Sequence, residues 1–343
     1  MTYRLSFCIP TFNFGQYIAE TLQSIISQAN EHVQIVIVDG GSTDDTAEIV
    51  ADAMTRFPQI KFIQREKRCG VDLDILESVS QADGEYCWLF SSDDVLAPDA
   101  ISRALQAIET RNWNVFLMGT KLCDLQMNPM HDHAILACKQ CLTFDWSDPK
   151  QRSDYFRRAH TSTAFFSFIS NIIVYRDQWL SSPTEKQFIG SCWIIAAKIA
   201  AMSRIGLRVH YSPDIFLLKR VGNDSFAAQG LIPRIKLSIA GFRFLWAHFY
   251  GVNSYEYRQV SRVVLNEYPL IEMLSIKLKL IPNATLQEKK EFYALARFHY
   301  NENAWLGAIN YLVVRSSPIW LLKISQTAFL FLLAVKHPRK IWP

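Results

Sequence analysis

The sequence predicts an α/β fold, a mostly parallel sheet flanked by helices, with a mainly helical C-terminal extension. Three observations predict it. Short apolar runs alternate with stretches of helical periodicity through the first 100 residues, the pattern of parallel strands joined by crossover helices. Polar residues suited to binding ligands stand at the ends of those runs, where open sheets of this kind hold their ligands. The charge then changes sign along the chain. Residues 1–203 carry 17 Lys/Arg against 24 Asp/Glu, and residues 204–343 carry 19 against 8, so a bland total of +4 divides into −7 and +11.

Taken in order, residues 5–9 are an apolar run ending at Pro10, a strand. Residues 17–27 place Ile18, Leu22, Ile25 and Ile26 at helical spacing, and residues 33–38 form a second strand, which completes a β-α-β unit. Residues 43–54 read as a helix whose start is rich in Asp and Ser/Thr, 60–63 as a strand, 73–80 as a helix and 86–90 as a strand. Pro98 then opens a helix through residue 108.

The 343 residues are 50% hydrophobic and 20% charged, which excludes disorder, collagen-like and low-complexity structure. Aromatics reach 13%, more than a core of this size needs, so some apolar surface is expected to face something else. No charged n-region precedes an apolar stretch at the N-terminus, and seven scattered cysteines fit reduced thiols; the expectation is a protein of the cytosol.

Three strand ends carry the chemistry: Pro10-Thr11-Phe12-Asn13, Asp39-Gly40-Gly41-Ser42-Thr43-Asp44 and Ser91-Ser92-Asp93-Asp94. All three should line one crevice. Ser42 or Thr43 can cap the following helix, whose N-terminus favours negative charge. Asp39 ends an apolar strand ahead of that cap, so a ligand hydroxyl or base edge suits it better than a helix amide. Asp93 and Asp94 repel each other, and a hard divalent cation with a diphosphate offsets that cost.

These residues resemble family 2 glycosyltransferases of the GT-A, Rossmann-like fold. The resemblance runs, in order and spacing, through residues 9–13, 38–46 and 84–94. Residues 86–94, Phe188-Ile189-Gly190-Ser191 and Gly222-Asn223-Asp224-Ser225-Phe226 are more narrowly similar to the bacterial O-antigen abequosyltransferase group. The resemblance implies a catalytic domain over residues 1–230; the basic charge and apolar end of residues 231–343 read as a mainly helical, membrane-associated region. The resemblance also implies that Pro10, Thr11 and Asn13 lie under the nucleotide and that Asp39 binds its base or ribose. Asp94 would be the main ligand of Mn²⁺ or Mg²⁺, with Asp93 beside the ribose or the metal. Arg68, Gly70 and Asp72 would form the loop approaching the nucleotide, and Asn223, Asp224 and Ser225 would close over the diphosphate. Many members place an acidic pair near 190–193 as general base; this chain has no carboxylate there. Asp177, Glu185, Asp214, Asp224 and His210 are the alternatives left open.

The implied reaction moves a sugar, abequose or another dideoxyhexose among the options, from a CDP- or UDP-sugar to a hydroxyl of a lipid-linked saccharide. The rival readings are transfer to polyprenyl phosphate and a non-catalytic assembly subunit. His131, His133, Cys138 and Cys141 could bind zinc, although their spacing matches no common zinc pattern and a plain loop is the expectation. Residues 316–335 carry one charge, Lys323, and are followed by Lys336, Arg339 and Lys340, with Trp320 and Trp342 on either side. That pattern fits a helix lying in the interface of an anionic membrane and not spanning it. The expected location is therefore peripheral, at the cytoplasmic face of the inner membrane. Nucleic acid is not an expected partner, because the basic residues are dispersed between long apolar stretches.

Overall fold

The computed structural model describes residues 3–223, 230–301 and 304–322. The chain forms two compact units, residues 1–221 and 222–343.

The first unit is built on one sheet of ten strands: β1 (Leu5–Thr11), β2 (Val33–Asp39), β3 (Ile60–Gln64), β4 (Tyr86–Leu89), β5 (Val95–Leu96), β6 (Val115–Cys123), β7 (Pro129–His133), β8 (Leu142–Asp145), β9 (Ile172–Tyr175) and β10 (Arg208–Arg220). Their order is β3-β2-β1-β4-β9-β6-β10-β5, with β7 on β6 and β8 on β10. The first four are parallel, as the alternation predicts. The sheet as a whole is mixed, because β9 enters antiparallel between β4 and β6. Four apolar residues such as Ile172–Tyr175 carry no directional signal; their partners in β4 and β6 decide it. β10 runs parallel to β6, so β4, β6 and β10 all end at the same edge as β1.

Helices α1 (Gly15–Ile26), α2 (Thr46–Arg56), α3 (Val71–Ser80), α4 (Ala100–Glu109), α5 (Pro149–Arg158), α6 (Arg176–Ser181) and α7 (Ile194–Met202) complete this unit. α1 turns Ile18, Leu22 and Ile25 inward. The core is aromatic: Phe7 stacks on Trp88 at 4.9 Å, and Phe90 and Phe216 meet the Trp88 ring edge-on. Pro10 is tolerated inside β1 because the ladder to β4 stops at Cys8–Leu89, so its missing N–H leaves no gap in that pairing.

The second unit is helical: α8 (Leu231–Lys236), a π-helical stretch over Leu237–Gly241, α9 (Phe242–Tyr250), α10 (Tyr255–Glu267), α11 (Leu270–Leu280), α12 (Leu286–Tyr300) and α13 (Ala304–Ser316). Thr285 and Glu288 form a capping box that starts α12. Gly307 lets α13 approach the C-terminal end of α12, where a Cβ would fall 1.8 Å from the Tyr300 carbonyl oxygen. Among the described residues no helix is long and apolar enough to cross a membrane.

Candidate active site

The carboxyl ends of β1, β2 and β4 are neighbours, so the three polar strand ends share one edge. Thr11 and Asp39 are partners in register. Both are buried, and Thr11 Oγ1 and Asp39 Oδ2 have no hydrogen-bond partner within the protein. Buried polar atoms in native structures are nearly always satisfied. Two adjacent unpartnered oxygens at this strand edge are thus available to donors from a ligand. The other oxygen, Asp39 Oδ1, accepts from Ser42 Oγ at 2.6 Å and Ser42 N at 3.0 Å, which fixes the carboxylate.

The expected cap at Ser42 or Thr43 is not made. α2 begins at Thr46 behind Asp45, and the short side chains tie two loops together instead. Asn13, at φ +56°, accepts from Thr43 N at 2.8 Å, while Ser42 Oγ accepts from Asn13 N at 2.8 Å. Asp44 takes Gly15 N at 2.9 Å and Thr46 N at 3.1 Å. Gly41 sits at φ +86°, a turn that an L side chain would strain. Asn13 thus reaches this edge by holding the loop, with its carboxamide oxygen used on Thr43. The Arg68 guanidinium lies over the Phe12 ring at 4.1 Å, which brings it to the same place. Gly70 is the N-cap of α3 at φ +97°.

Asp93 and Asp94 follow β4 and are buried. Asp94 Oδ1 accepts from Arg220 N at 3.0 Å and Oδ2 from Ser170 Oγ at 2.5 Å; Ser91 Oγ donates to Asp93. Burial first, then repulsion from Asp93, pushes the Asp94 carboxyl up to about 8. Such a pair is poised to gain from a cation. Among the described residues no three metal-capable side chains gather, so Asp93 and Asp94 are the two carboxylates available here to a cation. That is the set hard divalent ions use when a substrate phosphate completes the shell.

Arg220 is a residue beside the acidic pair that sequence reasoning missed. At the end of β10 it donates from Nε to the Asp93 carbonyl at 3.0 Å, from Nη1 to the Leu125 carbonyl and from Nη2 to Glu20, with its guanidinium 4.7 Å from the Tyr17 ring centre. A fixed positive charge is thereby enclosed beside the acidic pair. Ser170 also escaped the sequence. Trp88 Nε1 donates to its carbonyl at 2.7 Å, and its hydroxyl links Ser91 N to Asp94. The available signal was an arginine closing an apolar strand just before Gly222-Asn223-Asp224.

Asp72 serves a neighbouring segment. It is buried in the first turn of α3 and accepts from Cys192 N at 2.9 Å, so it clasps the loop at Gly190 and Cys192, both of positive φ. Burial raises its pKa and the loop amides oppose that rise. Asn223 is the second residue of the second unit, which begins at Gly222, and Asp224 and Ser225 lie outside the described residues. Of the alternatives for the base, His210 and Asp177 stand at the opposite edge of the sheet. His210 pairs with Phe116 near the start of β6, and Asp177 follows Tyr175, which faces Tyr86 at the start of β4. Glu185 pairs with Arg204 at 2.8 Å, and Asp214 accepts from Ser212. Three of the four zinc-capable residues have other partners, His133 with Thr163 at 2.9 Å, Cys138 with the Gln140 carbonyl at 3.1 Å and Cys141 with Ser212 at 3.4 Å, while His131 Nδ1 is buried with no hydrogen-bond partner. A cleft of about 300 Å³ lined by Arg111, Asp145 and Arg208 also lies at that opposite edge.

Comparison with known proteins agrees with this geometry. The model of glycosyl transferase family 2 matches residues 6–173. The abequosyltransferase RfbV of Salmonella typhimurium is 30% identical over 273 residues, which cover 77% of this chain and 81% of that protein. The glycosyltransferase GlyG of Streptococcus pneumoniae is 27% identical over 34% of this chain and 39% of its own length. Among solved structures, S. aureus TarS 1–349 matches with a TM-score of 0.61 at 14% identity, covering 96% of this chain and 91% of that one. The mannosyltransferase PcManGT of Pyrobaculum calidifontis, solved with GDP-Man and Mn²⁺, matches at 0.53 and 16% identity, covering 100% and 83%. The structural matches show the GT-A fold. With the sequence match, they establish that this chain belongs to glycosyl transferase family 2 and is related to abequosyltransferase and other surface-polysaccharide enzymes.

Proposed function

We propose that the chain transfers a sugar from a CDP- or UDP-sugar to a hydroxyl of a lipid-linked saccharide in O-antigen or similar surface-polysaccharide assembly, abequose or another dideoxyhexose being the donor sugar. The observation that carries this reading is the pair of unfilled atoms, Thr11 Oγ1 and Asp39 Oδ2, beside the acidic pair at one sheet edge. The former would receive the nucleoside. Asp93 and Asp94 would hold Mn²⁺ or Mg²⁺, which when bound neutralises charge on the leaving nucleoside diphosphate. Arg220 and Ser170 hold those carboxylates in place, so that little reorganisation accompanies the reaction. The enzyme would work at the cytoplasmic face of the inner membrane, bound through its basic C-terminal region.

A thermal-shift screen of CDP, UDP and GDP, each with and without Mn²⁺, tests the reading. Stabilisation by CDP or UDP that is larger with Mn²⁺ is the expected result; no response to any nucleotide overturns it. A second reading, transfer to polyprenyl phosphate, draws on one feature. The loop over 190–193 carries no carboxylate, and an anionic acceptor needs no general base. Mild acid separates the two products, because a glycosyl phosphate is cleaved far faster than a glycoside.

A further inference from the structure

Helix α13 presents an apolar face that its own unit does not cover. Gly307 and Val314 are buried on its inner side, and Lys277 caps its end with bonds to the Val314 and Ser317 carbonyls at 2.5 and 2.7 Å. On the outer side Trp305, Ile309 and Leu312 form one helical stripe flanked by Leu306, and Trp320 and Leu321 follow beyond the end of α13; these six are 43 to 71% exposed. A cleft of about 210 Å³, lined in part by Leu265, Leu270 and Tyr300, shares Leu306 with this face.

Along the sequence, the charge of this stretch has one sign. Residues 304–343 contain no Asp or Glu, while Arg315, Lys323, Lys336, Arg339 and Lys340 supply five cations. Protein interfaces are depleted in lysine at their cores and tend to pair opposite charges. An apolar stripe with tryptophans, set in a stretch without carboxylates, matches the headgroup zone of an anionic bilayer, where indole rings sit and cations find phosphate. We infer that α13 is a bilayer-docking helix whose Trp305-Ile309-Leu312 stripe lies in the interface of an anionic membrane. The inference rests on the membrane-surface reading above and places part of the anchor ahead of Arg315.

The test uses the full chain and a full-length triple variant, Trp305→Gln, Ile309→Gln and Leu312→Gln, floated with phosphatidylcholine vesicles with or without one quarter phosphatidylglycerol. Circular dichroism and sedimentation of both proteins accompany it. The expected result is binding of the parent to anionic vesicles and a loss of about tenfold or more in the variant, at unchanged helicity. Equal binding by parent and variant overturns the role of α13 while leaving the membrane reading intact. A parent dimer that the variant splits, with vesicle binding unchanged, overturns it in favour of a second copy. A parent that binds no vesicles rejects the membrane reading itself.

Discussion

The two units bury charge in different proportions. The sheet unit buries Asp39, Asp72, Asp74, Asp93 and Asp94, all at or beside one edge of the sheet, together with the bases Lys198 and Arg220. The helical unit buries Arg243, Lys277 and His299 on three different helices, and one carboxylate, Glu256. In the first, carboxylates collect where loop and helix amides point, and Asp39 keeps an unfilled oxygen. In the second, the bases meet carbonyls: Lys277 reaches Val314, Arg315 and Ser317, Arg243 reaches His299 and Ser261, and His299 lies 2.8 Å from the Tyr268 carbonyl. Three donors on three carbonyls complete the Lys277 ammonium, which leaves nothing to bind a ligand. An unfilled oxygen beside an acidic pair points to chemistry, and an ammonium complete on carbonyls, as at Lys277, points to the fold; His299 Nδ1, buried with no hydrogen-bond partner, shows that an unfilled atom by itself does not mark a site. Some of the +11 of the second half is thus used inside the protein and does not face lipid.

The largest effect that could break this contrast is at Asp94. Asp94→Asn is expected to lower sugar transfer about 10³-fold, near 4 kcal/mol, while the melting temperature holds or rises because a disfavoured charge is gone. Transfer within tenfold of the parent would remove Asp94 from the chemistry. Next comes Arg220→Met, which leaves the acidic pair and the Leu125 carbonyl uncompensated and should cost about 3–5 kcal/mol in denaturant unfolding of the sheet unit. Arg220→Lys should recover only part, since an ammonium cannot make the fork. Lys277→Met should cost less, about 1–3 kcal/mol for unmet carbonyls, and calorimetry should place the loss in the helical unit with nucleotide binding unaltered.

The smallest expected effect is in pH dependence, and it has opposite signs in the two units. Asp94 is held above its ordinary value of 3.8, so its favourable contribution is present below pH 3.8 and is lost as pH rises towards about 8. His299 is pushed down from 6.5 to about 4, first by burial and then by Arg243; its contribution is present above pH 6.5 and is lost as pH falls towards 4. Melting curves of the ligand-free protein across pH 4 to 8 should therefore flatten on the alkaline side in Asp94→Asn and on the acid side in His299→Gln. A variant that flattens the wrong side contradicts the assignment.

Legibility in the sequence followed the same division. β1 and β2 are apolar runs broken ahead of their polar ends only by Ser6 and Gln34, and β4 is apolar throughout, so Asp39, Asp93 and Asp94 stand out because nothing in packing calls for acids there. Ser42 and Thr43 misled because the same short hydroxyls serve helix caps and loop ties equally well; only the observed start at Thr46 separates these uses. Arg220 and Lys277 read as solvated charges, since local pattern does not report that the chain returns to cover them. The antiparallel entry of β9 was equally silent, because pairing is a long-range property.

That entry has a consequence for synthesis. β4 is complete at Leu89, yet its second neighbour, β9, ends only at Tyr175. At roughly 5–20 residues per second, translation leaves about 4 to 17 s during which the aromatic edge around Trp88 has no partner. The early half of the sheet therefore leaves the ribosome with an open hydrophobic edge, the kind that chaperones and aggregation compete for. A chain released before residue 172 would be a fragment that holds Thr11, Asp39, Asp93 and Asp94 but lacks β9 and β10, the strands that complete the sheet.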